Sequence, residues 1–179
     1  MSGTTLVFDL ESNGLLHDVT CIHCLVIYEQ ETDTTIVYND QGNAEPLTRG
    51  VQRLEDADII VGHNIIGYDI PCLSKIYPWF SPTALVVDTL LLSRLYHTDM
   101  LDVDMKHKFD MMPSQLYGRH SLESYGYRLG EYKGNFGKTA DWKEWSQEMQ
   151  DYCIQDVNVT RKLCDHFYRY LNGSYLSTK

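Results

Sequence analysis

With 179 residues, 43% of them hydrophobic and 12% aromatic, the chain has enough apolar material for one compact core and too much for a disordered tail. Its formal net charge of −10 argues against a protein that binds polyanions over its whole surface. No segment approaches the ~18 apolar residues of a membrane span, and the N-terminus reaches Asp9 before any apolar run long enough for a signal peptide, so a cytoplasmic protein with no membrane contact is expected.

In chain order, residues 4–10 read as a strand. Residues 21–29 (CIHCLVIYE) and 34–38 (TTIVY) are rich in β-branched and aromatic residues and are separated by a polar turn, which predicts three strands in succession. Pro46 stands where a helix can start, and Leu47, Val51 and Leu54 follow at helical spacing. Then come a short buried strand at 58–63, a helix from Tyr68 to Tyr77, a strand at 84–88 and a helix at 89–97. Residues 98–119 read as polar and irregular, 120–130 as a short helix ended by Gly130, and 141–171 as strongly helical. Hairpin strands followed by αβαβα predict an α/β fold, a mixed sheet flanked by helices, in a single domain spanning 1–179.

The five cysteines, at 21, 24, 72, 153 and 164, are an odd number without framework spacing, which predicts reduced thiols. The pair Cys21 and Cys24 is a poor zinc clasp, because residues three apart on a strand face opposite sides. Charge is unevenly spread. Residues 104–143 hold seven Lys/Arg against five Asp/Glu, a surplus of two, so the remainder carries −12. Lys106, Lys108, Arg119, Arg128 and Lys133 in this stretch are candidate phosphate contacts, beside the alternative of a solvated loop.

The chemistry concentrates in carboxylates. Asp9 and Glu11 end the first strand one residue apart, so both project from the same face. Like charges held that close need a shared proton, a cation or a divalent metal. Asp69 follows the 58–63 strand, where loops at strand ends carry functional groups. Tyr152 and Asp156 share a face of the C-terminal helix at i, i+4 spacing. Mg²⁺ or Mn²⁺ accept such oxygen ligands, and a few carboxylates from separate elements can hold two ions around a phosphate. A tyrosine with an ordinary pKa of ~10 is a poor base at neutral pH, so Tyr152 is cast as a group that orients water.

The segments Asp9-Leu-Glu11, Asn64-Ile-Ile-Gly-Tyr68-Asp69 and Tyr152-Cys-Ile-Gln-Asp156 resemble, in order and spacing, the three motifs of the DEDDy 3′–5′ exonucleases. Residues 117–136 and 87–97 extend the likeness to the proofreading exonuclease domain of the family A DNA polymerases of short-tailed phages, over nearly the whole chain. The resemblance implies a ribonuclease-H-like fold with three antiparallel strands plus parallel strands, two divalent metal ions, and single-stranded DNA with a free 3′ end as substrate. It implies that Asp9, Glu11, Asp69 and Asp156 bind metal, with Tyr152 as the fifth catalytic residue. Ser12 and Leu15 would grip the terminal nucleotide, and Asn64 and Tyr68 would flank the strand. A polymerase is an implied partner, although no polymerase domain is expected within the 179 residues, and the setting would be the cytoplasm of a phage-infected bacterium. A free-standing DNA-degrading or RNA-trimming nuclease and a silent recruiting module are the alternatives.

Several residues carry two readings. His63 either touches substrate or closes its strand as a structural histidine. Asp88 is read first as the N-cap of the helix at Thr89. Trp142 and Trp145 either help bury the last helix or stack on bases.

Overall fold

The computed structural model describes residues 3–131 and 141–172. Five strands, β1 (Thr5–Ser12), β2 (Ile22–Glu29), β3 (Thr34–Tyr38), β4 (Ile59–Gly62) and β5 (Leu85–Asp88), form one sheet in the order β3-β2-β1-β4-β5. The first three pair antiparallel. β4 and β5 join parallel to β1, so β1 sits where the sheet changes from one pattern to the other.

That position explains the sequence of β1. Its even residues Leu6, Phe8 and Leu10 pack with Val51 and Leu54 of α1 (Leu47–Glu55) and Cys72 and Leu73 of α2 (Asp69–Ile76). On the odd face, Val7 joins Cys24, Val26 and Val61 against Cys153 and Val157 of the long helix α6 (Gln147–Leu171). A central strand buried on both sides reads as a near-continuous apolar run, and only Asp9 and Glu11 break it. Pairing of β1 with β4 ends at Val7, so both carboxylates lie beyond the end of β4, in the crevice where open α/β sheets bind ligands.

The expected strands and the helices after Pro46, Tyr68 and Asp88 stand within one or two residues of their observed ends. Asp88 is the N-cap of α3 (Thr89–Tyr96), accepting from the amides of Leu90 and Leu91. Gly130 has φ +70° and follows α5 (Leu122–Arg128), as expected of a glycine that ends a helix.

Two expectations need correction. Residues 98–119 are not irregular throughout: α4 occupies Met100–His107 and a 3₁₀ turn Ser114–Leu116. The buried residues of α4 are Met100 and Asp104, so half of its inner face is a carboxylate and apolar periodicity is blind to it. The final helix begins only at Gln147, where Ser146 Oγ accepts from the Met149 amide at 3.1 Å; residues 141–146 lead into it without being helical. Among the described residues no helix is long and apolar enough to cross a membrane. Cys21 is exposed and Cys24 buried, both as free thiols.

Candidate active site

Three elements deliver the predicted carboxylates. β1 presents Asp9 opposite Val26 and Glu11 opposite Cys24, and the register shifts immediately after Glu11. Such a bulge re-aims the side chains that follow it, and here it turns Ser12 into the wall of a cavity of about 320 Å³. Glu11, Ser12, Gly14, Leu15, Tyr68 and Trp142 line that cavity. The Tyr68 hydroxyl donates to Gly14 O at 2.5 Å and also meets Ser12 Oγ, which pins the 12–14 turn to the α2 side of the cleft. Leu15 remains 67% exposed, an apolar side chain at the cavity's edge.

The tightest cluster comprises Asp9, Glu11 and Cys153, whose ligand atoms lie within 4.8 Å of one another. Cys153 belongs to it as a donor. Burial first, then Cys24 and the charges of Asp9 and Glu11, hold its thiol well above the ordinary range, so it stays protonated. It reaches the carbonyl of Asp9 at 3.4 Å and a carboxylate oxygen of Asp9 at 3.5 Å. The other two donors of the cluster are hard carboxylate oxygens of the kind that Mg²⁺ or Mn²⁺ accept.

Asp69 is the first residue of α2 and only 4% exposed. Burial, and then the charge of Asp9, push its carboxyl well above the usual carboxylate range, although the amides of Asp69 itself and Leu10 partly oppose the shift. Asp9 and Asp69 therefore feel one another. Tyr152 and Asp156 come from α6, on either side of Cys153. Burial, then Glu11 and Asp9, push the Tyr152 phenol up to about 12. Asp156 is 8% exposed with Oδ1 fully covered. Asp69 and Asp156 stand outside the Asp9–Glu11–Cys153 cluster.

The loop between β4 and α2 is held by Asp88. One of its oxygens accepts from the Asn64 amide at 3.0 Å and the other from the Ile66 amide at 3.1 Å. Asn64 adopts a left-handed φ of +66°, a conformation asparagine tolerates better than most residues. His63 Nδ1 meets Thr89 Oγ1 at 2.9 Å, which ties the histidine to the start of α3. His63 and Asn64 line a second cavity, of about 500 Å³, while Tyr68 lines the first. The predicted substrate residues thus divide between two hollows.

Local sequence gives little weight to Trp142, yet its ring lines the first cavity and lies edge-on to Tyr152, with centroids 6.4 Å apart. No regular element carries it; the His23 ring, which meets its carbonyl at 3.0 Å, places it, and nothing in local periodicity announces such a link. Trp145 follows the other reading and packs on the core beside Cys153 and Val157. Arg128 is corrected: it is buried against Asp104 and cannot serve as a phosphate contact. Lys106 lies in the last turn of α4 and Lys108 caps it, both exposed. Lys133 lies outside the described residues.

No protein-family model matches the chain. Over 89% of its length it is 34% identical to the DNA-directed DNA polymerase of Escherichia phage T7, and equally to that of Enterobacteria phage T3. It spans only about a quarter of these polymerases, 26% of each. Among solved structures, it superimposes on Brucella melitensis NrnC with bound Mg²⁺ at a TM-score of 0.63 and 18% identity, covering 95% of this chain and 74% of that one. The zinc-bound E. coli ExoI–single-stranded DNA complex matches at a TM-score of 0.57 and 15% identity, covering 99% of this chain and 43% of that one. At these identities the solved structures speak for the fold alone: the chain is similar in sequence to one segment of these two phage polymerases and shares the fold of these solved nucleases.

Proposed function

We propose that the protein is a divalent-metal-dependent 3′–5′ exonuclease of the DEDDy type, acting as a single domain on single-stranded DNA and releasing nucleoside monophosphates. The observation that carries the reading is the crowding of acids at the end of β1. Asp9 and Glu11 share one face of a strand end, Asp69 is pushed up by burial and then by the Asp9 charge, and the thiol beside them is a proton donor rather than a cation. Like charges crowded together in a partly buried site are costly, and divalent cations are the natural complement of such a set of oxygens.

In this reading Asp9, Glu11, Asp69 and Asp156 hold two Mg²⁺ or Mn²⁺ ions. When bound, the ions supply charge neutralisation at the scissile phosphate and acidify water at neutral pH. The chain's own groups supply position. Tyr152, whose phenol is pushed up to about 12 by burial and then by the Glu11 and Asp9 charges, donates a hydrogen bond that orients the attacking water. Ser12 and Tyr68 shape the floor of the first cavity, and Leu15 and Trp142 offer apolar and aromatic surface for the terminal base. His63 and Asn64 meet the strand farther along. Proofreading beside a DNA polymerase is the biological role proposed, supported by the polymerase relatives.

The test is a time course with Mg²⁺ or Mn²⁺ on 5′-labelled single-stranded DNA. It runs beside the same strand blocked at its 3′ end, the matching RNA, and Asp9→Ala. A descending ladder seen only with an open 3′ end and intact Asp9 is expected. Cleavage of the blocked strand would point to an endonuclease, faster cleavage of RNA to an RNA-trimming enzyme, and no cleavage with either metal to a recruiting module.

A further inference from the structure

The second cavity is an electrostatic exception. In a chain of net charge −10, its wall includes Arg94 and Arg119, with His63, Asn64, His120 and Ser121 as further polar groups, and no carboxylate of the described residues lines it. Both arginines are exposed, so their charge is offered to solvent rather than spent in the core. Arg119 is directed by a bond from Nε to Gln115 O at 2.7 Å. His120 is oriented by Ser93 Oγ, 2.5 Å from its Nδ1. Ser93 in turn meets the Tyr125 hydroxyl, which ties α3 to α5 beneath the hollow. With about 500 Å³, the cavity has room for a phosphate group and part of a sugar.

Its location gives the hollow meaning. The loop joining β4 to α2 separates the two cavities: Tyr68, at its far end, lines the first, and His63 and Asn64, at its near end, line the second. Asp88 holds that loop through the Asn64 and Ile66 amides, so the two hollows have a rigid common wall. A polyanion entering the acidic cleft gains from a cationic foothold nearby, because Arg side chains neutralise phosphates and fix register without reading bases.

We infer that the Arg94–Arg119–His120 hollow is a phosphate subsite for the single strand, taking a backbone phosphodiester upstream of the scissile bond and setting the minimum length of an efficient substrate. The inference rests on the exonuclease reading for its direction along the strand. The hollow's preference for a phosphodiester anion does not.

The experiment pairs binding with cleavage. Binding of fluorescent oligodeoxynucleotides of two to about twelve nucleotides is followed by anisotropy in Ca²⁺ across a salt series, for wild type, Arg94→Ala/Arg119→Ala, and the control Arg49→Ala, which removes an exposed arginine of α1. The double variant is expected to bind the long strand about tenfold more weakly. Its salt dependence should be shallower by roughly 0.7 for each phosphate that the arginines neutralise in wild type. Dinucleotide binding should not change, and Arg49→Ala should match wild type. With Mg²⁺, the double variant should raise KM on long strands about tenfold, leave kcat near wild type, and leave dinucleotide cleavage alone.

Equal losses on dinucleotide and long strand would overturn the assignment, as would wild-type binding by the double variant. Inorganic phosphate that competes in wild type but not in the double variant, with no dependence on strand length, would make the hollow a free-phosphate site and overturn the strand assignment. Absence of cleavage by wild type would defeat the exonuclease reading alone, since the length-dependent binding would still be read in Ca²⁺.

Discussion

Among the described residues, Asp104 and the acids around the end of β1 are buried in opposite ways. Asp104, in α4, is fully buried, and Arg128 of α5 grips it through Nε at 2.9 Å and Nη2 at 2.7 Å while the Gly118 amide donates at 2.7 Å. Burial alone would raise its pKa, but these three bonds outweigh burial and hold the carboxyl below its usual range. At the end of β1 the balance runs the other way, and burial with the Asp9 charge drives Asp69 up despite two amides that oppose the shift. The first carboxylate is completed by a guanidinium of the chain itself. The second group crowds acid against acid and so favours a cation brought from outside, a contrast that distinguishes a structural acid from a ligand-holding one.

The largest effects should separate the two most sharply. Asp9→Asn is expected to lower kcat on single-stranded DNA by roughly 10³-fold or more, because an acid that holds the ions supports several kcal/mol of transition-state stabilisation. In metal-free buffer its melting temperature should equal or exceed that of wild type, since one repelling charge is gone. Mg²⁺ should raise the melting temperature of wild type and fail to do so in the variant. A variant that melts well below wild type without metal would place Asp9 among the structural acids and erase the contrast. Arg128→Ala should behave conversely. It strands a carboxylate of 0% side-chain exposure, for which about 3–5 kcal/mol of destabilisation is expected in urea or thermal unfolding. Turnover per folded molecule should change little. If Arg128→Ala melted near wild type, Asp104 would have relaxed to water and the pair would carry no architecture.

The same contrast explains what can be read from the sequence. The strands are legible because they are β-branched runs bounded by turn residues, and Asp9 and Glu11 are legible because they interrupt such a run on one face. Tyr152 and Asp156 are legible through helical spacing. α4 is not, because its buried anchor is Asp104, and a charged residue paired across 24 positions in sequence gives no local periodicity. Arg128 misleads for the same reason: a basic residue in a basic stretch looks like a phosphate contact until its partner is known. Cys153 looks like an ordinary buried thiol, and its donation to Asp9 depends on the distance between α6 and β1. Trp142 stands on no regular element, and the His23 link across the sheet places it in the cleft. Local pattern thus picks out the candidate groups, and long-range pairing decides which charges are already spent.

A smaller effect tests how the acid cluster uses its neighbour. Tyr152→Phe removes one hydroxyl and no charge, so metal-dependent stabilisation should survive while kcat falls about 10- to 100-fold, the range of a positioned hydrogen-bond donor. Because the phenol is pushed up to about 12, the wild-type pH–rate profile between about pH 6 and 9 should contain no limb that disappears in the variant. A limb that did disappear would mean the phenol ionises during turnover and would recast Tyr152 as the base. An unchanged rate would remove it from the mechanism.

The smallest effect concerns a third way of burying an ionisable group, which is to keep it neutral. His97, at the end of α3, and His166 of α6 meet Nε2 to Nε2 at 2.8 Å beneath Phe167 and Tyr170. Such a contact needs one ring to donate and the other to accept, so both cannot be protonated. Burial, then the charges of His97 and Arg169, push His166 down to about 4, and His97 is lowered as well, chiefly by burial. In the unfolded chain each takes a proton near pH ~6.5. The unfolded state therefore binds protons first as pH falls, and the stability held by the pair is complete above about pH 6.5 and lost progressively toward about pH 4. His166→Gln retains a hydrogen-bonding side chain and removes one titration. It should flatten the decline in melting temperature between about pH 7 and 5 by an amount equivalent to about 1–2 kcal/mol, discounted for partial exposure. An undiminished decline would assign the acid sensitivity to the carboxylates, and the pair would then be neutral packing with no stake in pH.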